Sequence, residues 1–274
     1  MFVKFLKIIF FVGLLVILYF LLSKILLNVF DTKNGFVYAP TVVSNVASSS
    51  TTNTSENIEV VTSTVEKVDN GDTMMDYPEI LLLPKQVNQI VPFSSQAPEK
   101  DWSAPWQDAC EETSLLMIDA YYYNYDLTID LVKSKILEMI IWEEEKGWSK
   151  GVFTLADGMT ASQTKELSEQ FFDFKLKLVK DPSIEELKSY LAQGKLVMGF
   201  FDGKTLENPY FSGSGPDYHA LVIKGYDEND FIVNDPGTKF GEDFTYSYEN
   251  IMESLHDWNG GDVSNGQRVV LVLE

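Results

Sequence analysis

The chain is poor in the residues that form disulfides and zinc sites. Its 274 residues include one cysteine, Cys110, and two histidines, His219 and His256. One cysteine excludes a disulfide within the chain, and three such residues scattered along the sequence do not make a usual zinc ligand set. The sequence also has no H-E-x-x-H, Walker or G-x-G-x-x-G motif. We therefore expect no metal and no organic cofactor.

Basic residues are also scarce, with 21 Lys or Arg against 41 Asp or Glu and a net charge of −20. The first 30 residues contain three lysines and no acid, so residues 31–274 hold 18 basic and 41 acidic residues, a net charge of −23. An acidic surface of this kind repels nucleic acid and anionic membrane surfaces. We expect no nucleic-acid partner.

Residues 5–27 have almost no polar side chains, and a run of about 20 apolar residues spans the hydrocarbon core of a bilayer. The rival interpretation is a cleaved signal peptide, but the run is long and the NVFD sequence at residues 28–31 has no small-x-small cleavage site. Lys4 and Lys7 predict a cytoplasmic amino terminus. We predict that residues 1–30 are an uncleaved single-pass transmembrane anchor and that the rest is extracytoplasmic.

The next segment has no periodicity and little apolar content. Residues 41–64 contain 12 Ser or Thr among 24, a composition typical of a flexible linker. We predict a Ser/Thr-rich stalk over residues 31–78 and one globular domain over residues 79–274.

Apolar spacing and capping sequences in this domain predict four helices followed mainly by strands. Apolar side chains recur at helical spacing after Cys110 and again from Thr128 to about Lys146. Thr160 and Ser183 each begin a capping-box sequence that predicts a helix start. The runs typical of strands are Phe174 to Val179, Leu196 to Phe201, His219 to Tyr226, Asp230 to Val233 and Gln267 to Leu273. This order predicts an α+β domain with helices packed on an antiparallel sheet.

Cys110 lies where a polar, aromatic-rich approach changes to a helical pattern. A lone cysteine is often a small buried hydrophobic residue. At a helix start, however, the dipole and the free N–H groups of the first turn stabilise a thiolate, which is the nucleophilic form. Cys110 is therefore a candidate nucleophile.

A cysteine nucleophile needs a base within hydrogen-bond reach and a third group that orients the base. We favour His219, which begins a predicted strand, over His256, which lies in a predicted short helix. An antiparallel hairpin would bring Asp235, at the end of the next strand, back beside His219. Asn234 is the alternative orienting residue, since an amide oxygen also accepts from an imidazole N–H.

An oxyanion hole needs a donor aimed at the developing negative charge, commonly the N–H of the nucleophile and one side-chain amide. Gln96 and Gln107 both precede Cys110. Gln107 is close in sequence but need not point the same way as the thiol, whereas Gln96 could return through the intervening loop. Chemistry alone leaves both open.

These residues together resemble a known family. PFSSQ at residues 92–96, the cysteine at a helix start, the histidine leading a strand and VNDPG at residues 233–237 are similar to the bacteriocin-processing (double-glycine) peptidase-like family, a branch of the papain-like cysteine peptidases. The resemblance covers about residues 89–274 and implies a papain-like fold. It also implies a site in which Gln96 supplies the oxyanion hole, Cys110 attacks a peptide carbonyl, and His219 and Asp235 complete the triad.

The chain departs from this family after the nucleophile, where relatives commonly have glycine and then a small residue or proline. Here Glu111 and Glu112 follow, and two carboxylates beside a thiol raise the cost of forming a thiolate. We expect a membrane-anchored cysteine peptidase acting on a peptide or protein substrate. The alternatives are a papain-like surface binding module without catalysis and an amidase of cell-wall peptides that uses the same residues.

Overall fold

A computed structural model describes residues 58–62, 80–148 and 158–274 of the chain. The transmembrane anchor predicted at residues 1–30 and most of the stalk predicted at residues 31–78 lie outside these ranges. Within the described ranges, no helix combines the length and the apolar character needed to cross a bilayer.

Five α-helices occur in the described part of the chain. They are α1 (Cys110–Tyr123), α2 (Ile129–Lys146), α3 (Ala161–Phe171), α4 (Ile184–Ala192) and α5 (Tyr248–Ser254). The predicted starts of α3 and α4 are explained by their caps. Thr160 and Gln163 form a complete capping box at α3, and the Ser183 hydroxyl accepts from the Glu186 N–H at α4.

Nine strands are described, and all of their pairings are antiparallel. They are β1 (Ile58–Thr62), β2 (Ile80–Pro84), β3 (Val87–Asn88), β4 (Leu176–Lys180), β5 (Val197–Phe201), β6 (His219–Tyr226), β7 (Asp230–Asn234), β8 (Phe244–Ser247) and β9 (Val269–Leu273). The main sheet has the order β4-β9-β5-β6-β7-β8, and β3 also pairs with β6. The predicted α+β class with an antiparallel sheet is confirmed.

Helices cover both faces of the main sheet. Alternate residues of β6 point to opposite faces. Ala220 and Val222 pack with apolar residues of α1, α2 and α3, whereas Leu221 and Ile223 pack with those of α4 and α5. All eight residues of β6 are consequently buried, which explains the nearly continuous apolar sequence HALVIKGY.

One segment differs from the predicted stalk. Ile58–Thr62, with the sequence IEVVT, forms a strand that pairs with β2 over all five residues. The Ile, Val and Thr residues of this sequence are typical of strands.

Candidate active site

Cys110 is the first residue of α1 and follows a 3-10 turn at Trp106–Asp108. Its side chain is only 5% exposed. The first turn of α1 is held against the start of β6, where the Ser114 hydroxyl donates to the Ala220 carbonyl at 3.4 Å. The thiol therefore lies beside the strand that His219 begins.

His219 and Asp235 are in direct contact. The Nε2 atom of His219 lies 2.7 Å from Oδ1 of Asp235, and both side chains are buried. His219 starts β6 and Asp235 follows the last residue of β7. The antiparallel hairpin of β6 and β7 therefore brings Asp235 back beside His219. Since Asp235 occupies Nε2, Nδ1 is the ring nitrogen left for exchanging a proton with a thiol.

Asp235 is surrounded by donors. Besides His219, it accepts from the Tyr246 hydroxyl at 2.7 Å, the Asn208 amide at 3.0 Å and the Gly237 N–H at 2.9 Å. Burial alone would raise its pKa, but the His219 charge and the hydrogen bonds from His219, Tyr246 and Gly237 together hold the pKa of Asp235 below its usual value. Asp235 is therefore ionised where it contacts the imidazole of His219.

Gly237 lies in the loop after Asp235 and packs directly against the imidazole of His219. A Cβ atom at this position would lie 2.7 Å from Cε1 and 3.0 Å from Nε2 of His219, which is closer than packed atoms allow. Glycine is thus required for the ring and the loop to approach each other.

The Cys110 thiol faces a carboxylate as well as the histidine strand. Its sulfur donates to Oε2 of Glu111 at 3.0 Å. Burial raises the pKa of Cys110 well above its usual value, the charge of Glu111 and its hydrogen bond add to the rise, and the Ala220 N–H opposes it. The thiol is consequently protonated at rest, and a reaction has to begin with removal of that proton.

Glu112 and Glu143 form a second buried carboxyl site, at 3% and 4% exposure. Burial and the neighbouring carboxylates raise the pKa of Glu112 well above its usual value, and burial raises the pKa of Glu143 to about 7. The two groups are hydrogen-bonded to each other, so they share a proton at neutral pH.

The amide of Gln96 is engaged by backbone. Its Nε2 donates to the Trp106 carbonyl at 3.0 Å and to the Gln107 carbonyl at 2.7 Å, while its Oε1 is buried without a partner among the described residues. The Gln107 side chain is exposed, and both glutamines line the same cavity as Cys110. For Gln96 to donate to an oxyanion its amide has to turn, and its role stays a prediction.

The two alternative residues are occupied elsewhere. The Asn234 amide donates to the Val91 carbonyl at 3.1 Å and accepts from the Asp243 N–H at 3.2 Å. Nδ1 of His256 lies 3.0 Å from the Gly266 carbonyl. His256 follows the end of α5 and is absent from the described lining of the cavity that holds His219.

Cys110 and His219 line one cavity of about 890 Å³. Its lining also includes Gln96 and Trp102, residues of the segment from Tyr210 to Tyr218, and the three glutamates Glu111, Glu112 and Glu143. Such a concave site with a few polar groups suits a ligand or substrate.

Sequence reasoning missed three residues of this site. Asn208 and Tyr246, which hold Asp235, belong to no local motif, and only the folded chain brings them together. Glu143 carried a usable signal, because it continues the spacing of the buried residues Ile136, Met139 and Ile140 on α2.

The fold and the cleft define an α+β protein in which Cys110 and His219 line one cavity and Asp235 contacts His219. The sequence model of the Peptidase_C39 like family matches residues 88–260, more than half of the chain, and the chain belongs to this family. It is similar to a crystal structure of a candidate C39-like peptidase from Bacillus anthracis, with 19% identity, a TM-score of 0.47, and coverage of 69% of this chain and 98% of that one. No curated protein matches the chain.

Proposed function

We propose that the protein is a cysteine peptidase that hydrolyses peptide or amide bonds. Cys110 is the nucleophile, His219 the general base and acid, Asp235 the orienting group and Gln96 the oxyanion donor. Membership of the C39-like family supports this proposal. The observation that carries it is the buried His219–Asp235 contact of 2.7 Å in the strand packed against the start of the Cys110 helix.

The reaction follows from these positions. The Cys110 proton passes to Nδ1 of His219 as the sulfur attacks the carbonyl carbon, and Asp235 stabilises the imidazolium that forms. The imidazolium then protonates the leaving amine as the C–N bond breaks. Water attacks the resulting thioester with His219 as base, releasing the acid and restoring the thiol.

The test is turnover of an internally quenched peptide library by the full chain. Cys110→Ala should abolish hydrolysis, and His219→Ala should abolish both hydrolysis and labelling by a thiol-directed acyl probe although the thiol is present. His256→Ala is the matched control and should keep both activities. Unchanged hydrolysis in Cys110→Ala would exclude the proposal.

A second candidate is a surface binding module that keeps this fold without catalysis. It is favoured by the raised pKa of Cys110 and by the engagement of the Gln96 amide. The rate of alkylation by iodoacetamide at neutral pH separates the two. A rate that falls in His219→Ala indicates the enzyme, because His219 then takes the thiol proton, and a rate that is the same in the native chain and in His219→Ala indicates the binding module.

The substrate and the location are part of the proposal. A cell-wall peptide amidase would use the same four residues and differ only in substrate, so peptidoglycan fragments belong in the library. The anchor predicted at residues 1–30 would place the domain outside the cytoplasm. Removing these residues should then move the protein from the membrane fraction to the soluble fraction.

A further inference from the structure

The main chain of Gln96 is attached to the loop that follows Asp235. The Pro236 carbonyl accepts from the Gln96 N–H at 3.0 Å and from the Ser95 hydroxyl at 3.2 Å. The two lone pairs of a carbonyl oxygen allow it to accept both bonds. The position of Gln96 therefore depends on where the chain runs immediately after Asp235.

Asn234, the residue before Asp235, holds the same segment at its other end. Its fully buried side chain donates to the Val91 carbonyl at 3.1 Å and accepts from the Asp243 N–H at 3.2 Å. Because both the donor and the acceptor of this amide are paired, the side chain is held in one orientation. The two residues that flank Asp235 thus fix the beginning and the end of the segment Val91–Gln96.

We infer that Asn234 is a positioning residue for the oxyanion hole, which acts by keeping the main chain of Gln96 fixed to the Asp235 loop. The inference rests on the proposed function, in which Gln96 is the oxyanion donor. To reach an oxyanion, the Gln96 amide has to turn away from the Trp106 and Gln107 carbonyls. The main chain has to stay in place during this turn, since a displacement of roughly 1 Å can lower the rate by about 10²-fold.

The first test is a double-mutant cycle between Asn234→Ala and Gln96→Ala, with a peptide that the native chain hydrolyses. Asn234→Ala should lower kcat by about tenfold or more and leave KM within about twofold, because the lost interaction acts in the transition state. In the Gln96→Ala background the same substitution should have little further effect, since no amide is left to position. An equal loss in both backgrounds would show that Asn234 acts through Asp235 or through the fold in general, and it would overturn the inference.

Asn250→Ala is the matched control. The Asn250 amide also donates to a remote carbonyl, that of Thr205 at 3.0 Å, and Asn250 is absent from the described lining of the cavity. This substitution should lower the thermal stability and leave kcat unchanged.

Ser95→Ala keeps the inference testable if Asn234→Ala does not fold. It removes one of the two donors to the Pro236 carbonyl. It should lower kcat several-fold, again only where Gln96 is present. An unchanged kcat would overturn the inference.

Hydrogen exchange tests the attachment without turnover. In Asn234→Ala, the amide hydrogens of residues 91–97 should exchange with deuterium faster than in the native chain, whereas in Asn250→Ala they should exchange at the native rate. Unchanged exchange in Asn234→Ala overturns the inference, while turnover by the native chain still supports the peptidase. Faster exchange in a chain that hydrolyses no peptide supports the attachment and counts against the peptidase.

Discussion

Asp235 and Glu112 are both carboxyl groups removed from water near the candidate active site, yet their ionisation is opposite. Asp235 accepts hydrogen bonds from His219, Tyr246, Asn208 and Gly237, and its pKa is lowered. Glu112 faces carboxyl groups, and its pKa is raised. The donors around a buried carboxyl group, rather than burial itself, decide whether it is charged.

This difference separates two tasks within one cleft. The Asp235 side offers a fixed negative charge to the imidazole. The glutamate side holds a proton between the carboxyl groups of Glu112 and Glu143. Four substitutions test this comparison, and their expected effects decrease in the order given.

Asp235→Asn should have the largest effect on hydrolysis, because it removes the negative charge beside His219. An amide can turn its NH₂ group toward His219, which then accepts at Nε2 and carries its proton on Nδ1, the nitrogen needed as base. We expect hydrolysis to fall by roughly 10³-fold or more, by analogy with the same change in a serine protease triad. Steady-state kcat measures the effect, and Asp243→Asn is the control at an exposed carboxylate. Activity within a few-fold of the native value would show that Asp235 does not orient the base.

Glu111→Gln should lower the pKa of the Cys110 thiol. The amide keeps the shape and an acceptor for Cys110 but removes the negative charge, so the pKa of Cys110 falls. Each unit of decrease raises the thiolate fraction, and hence the alkylation rate at neutral pH, by about tenfold. The rate with iodoacetamide between pH 6 and 10 measures it, with Glu145→Gln as control. A slower alkylation would contradict the inference that the charge of Glu111 disfavours the Cys110 thiolate.

Tyr246→Phe tests the number of donors directly. Asp235 keeps His219, Asn208 and Gly237 but loses the Tyr246 hydroxyl, which should raise its pKa and lower the free energy of unfolding by about 1–2 kcal/mol. Hydrolysis should fall only several-fold. Tyr125→Phe removes a tyrosine–carboxylate bond to Asp119 outside the cavity and should leave kinetics unchanged. An unshifted acidic limb of the pH–rate profile in Tyr246→Phe would mean that this donor is dispensable.

Glu143→Gln should change how the free energy of unfolding depends on pH, and this is the smallest of the four effects. The pKa of Glu143 rises from 4.5 to about 7 on folding, so the folded state binds more protons, and stability falls as the pH rises across this interval. The decline should be shallower in Glu143→Gln by up to about 1.4 kcal/mol per pH unit for one proton. Thermal unfolding from pH 4 to 8 measures it, with Glu145→Gln as control. Parallel curves for the native chain and Glu143→Gln would show that Glu143 titrates normally.

Features with a local cause were predictable from the sequence. The capping residues Thr160 and Ser183 correctly predicted the starts of α3 and α4. His219–Tyr226 is a strand with the predicted bounds. The closeness of His219 and Asp235 followed from hairpin geometry, since a short turn joins their strands.

Features with a long-range cause were not predictable. Asn208 lies in a loop 27 residues before Asp235, and no pattern in sequence marks that contact. The engagement of Gln96 by two backbone carbonyls depends on how the loop before Cys110 folds. Glu143 is the exception, because its helical spacing from Met139 and Ile140 indicates a buried position although the EEEK sequence at residues 143–146 is acidic.

The strand that carries His219 pairs with β3, β5 and β7, more neighbours than any other strand described. Amide hydrogens of Leu221 to Ile223 should therefore exchange with deuterium only when the whole domain opens. His219 therefore belongs to the part of the fold that unfolds last. Heating should then remove hydrolysis and tertiary structure at the same temperature, with no folded but inactive state between them.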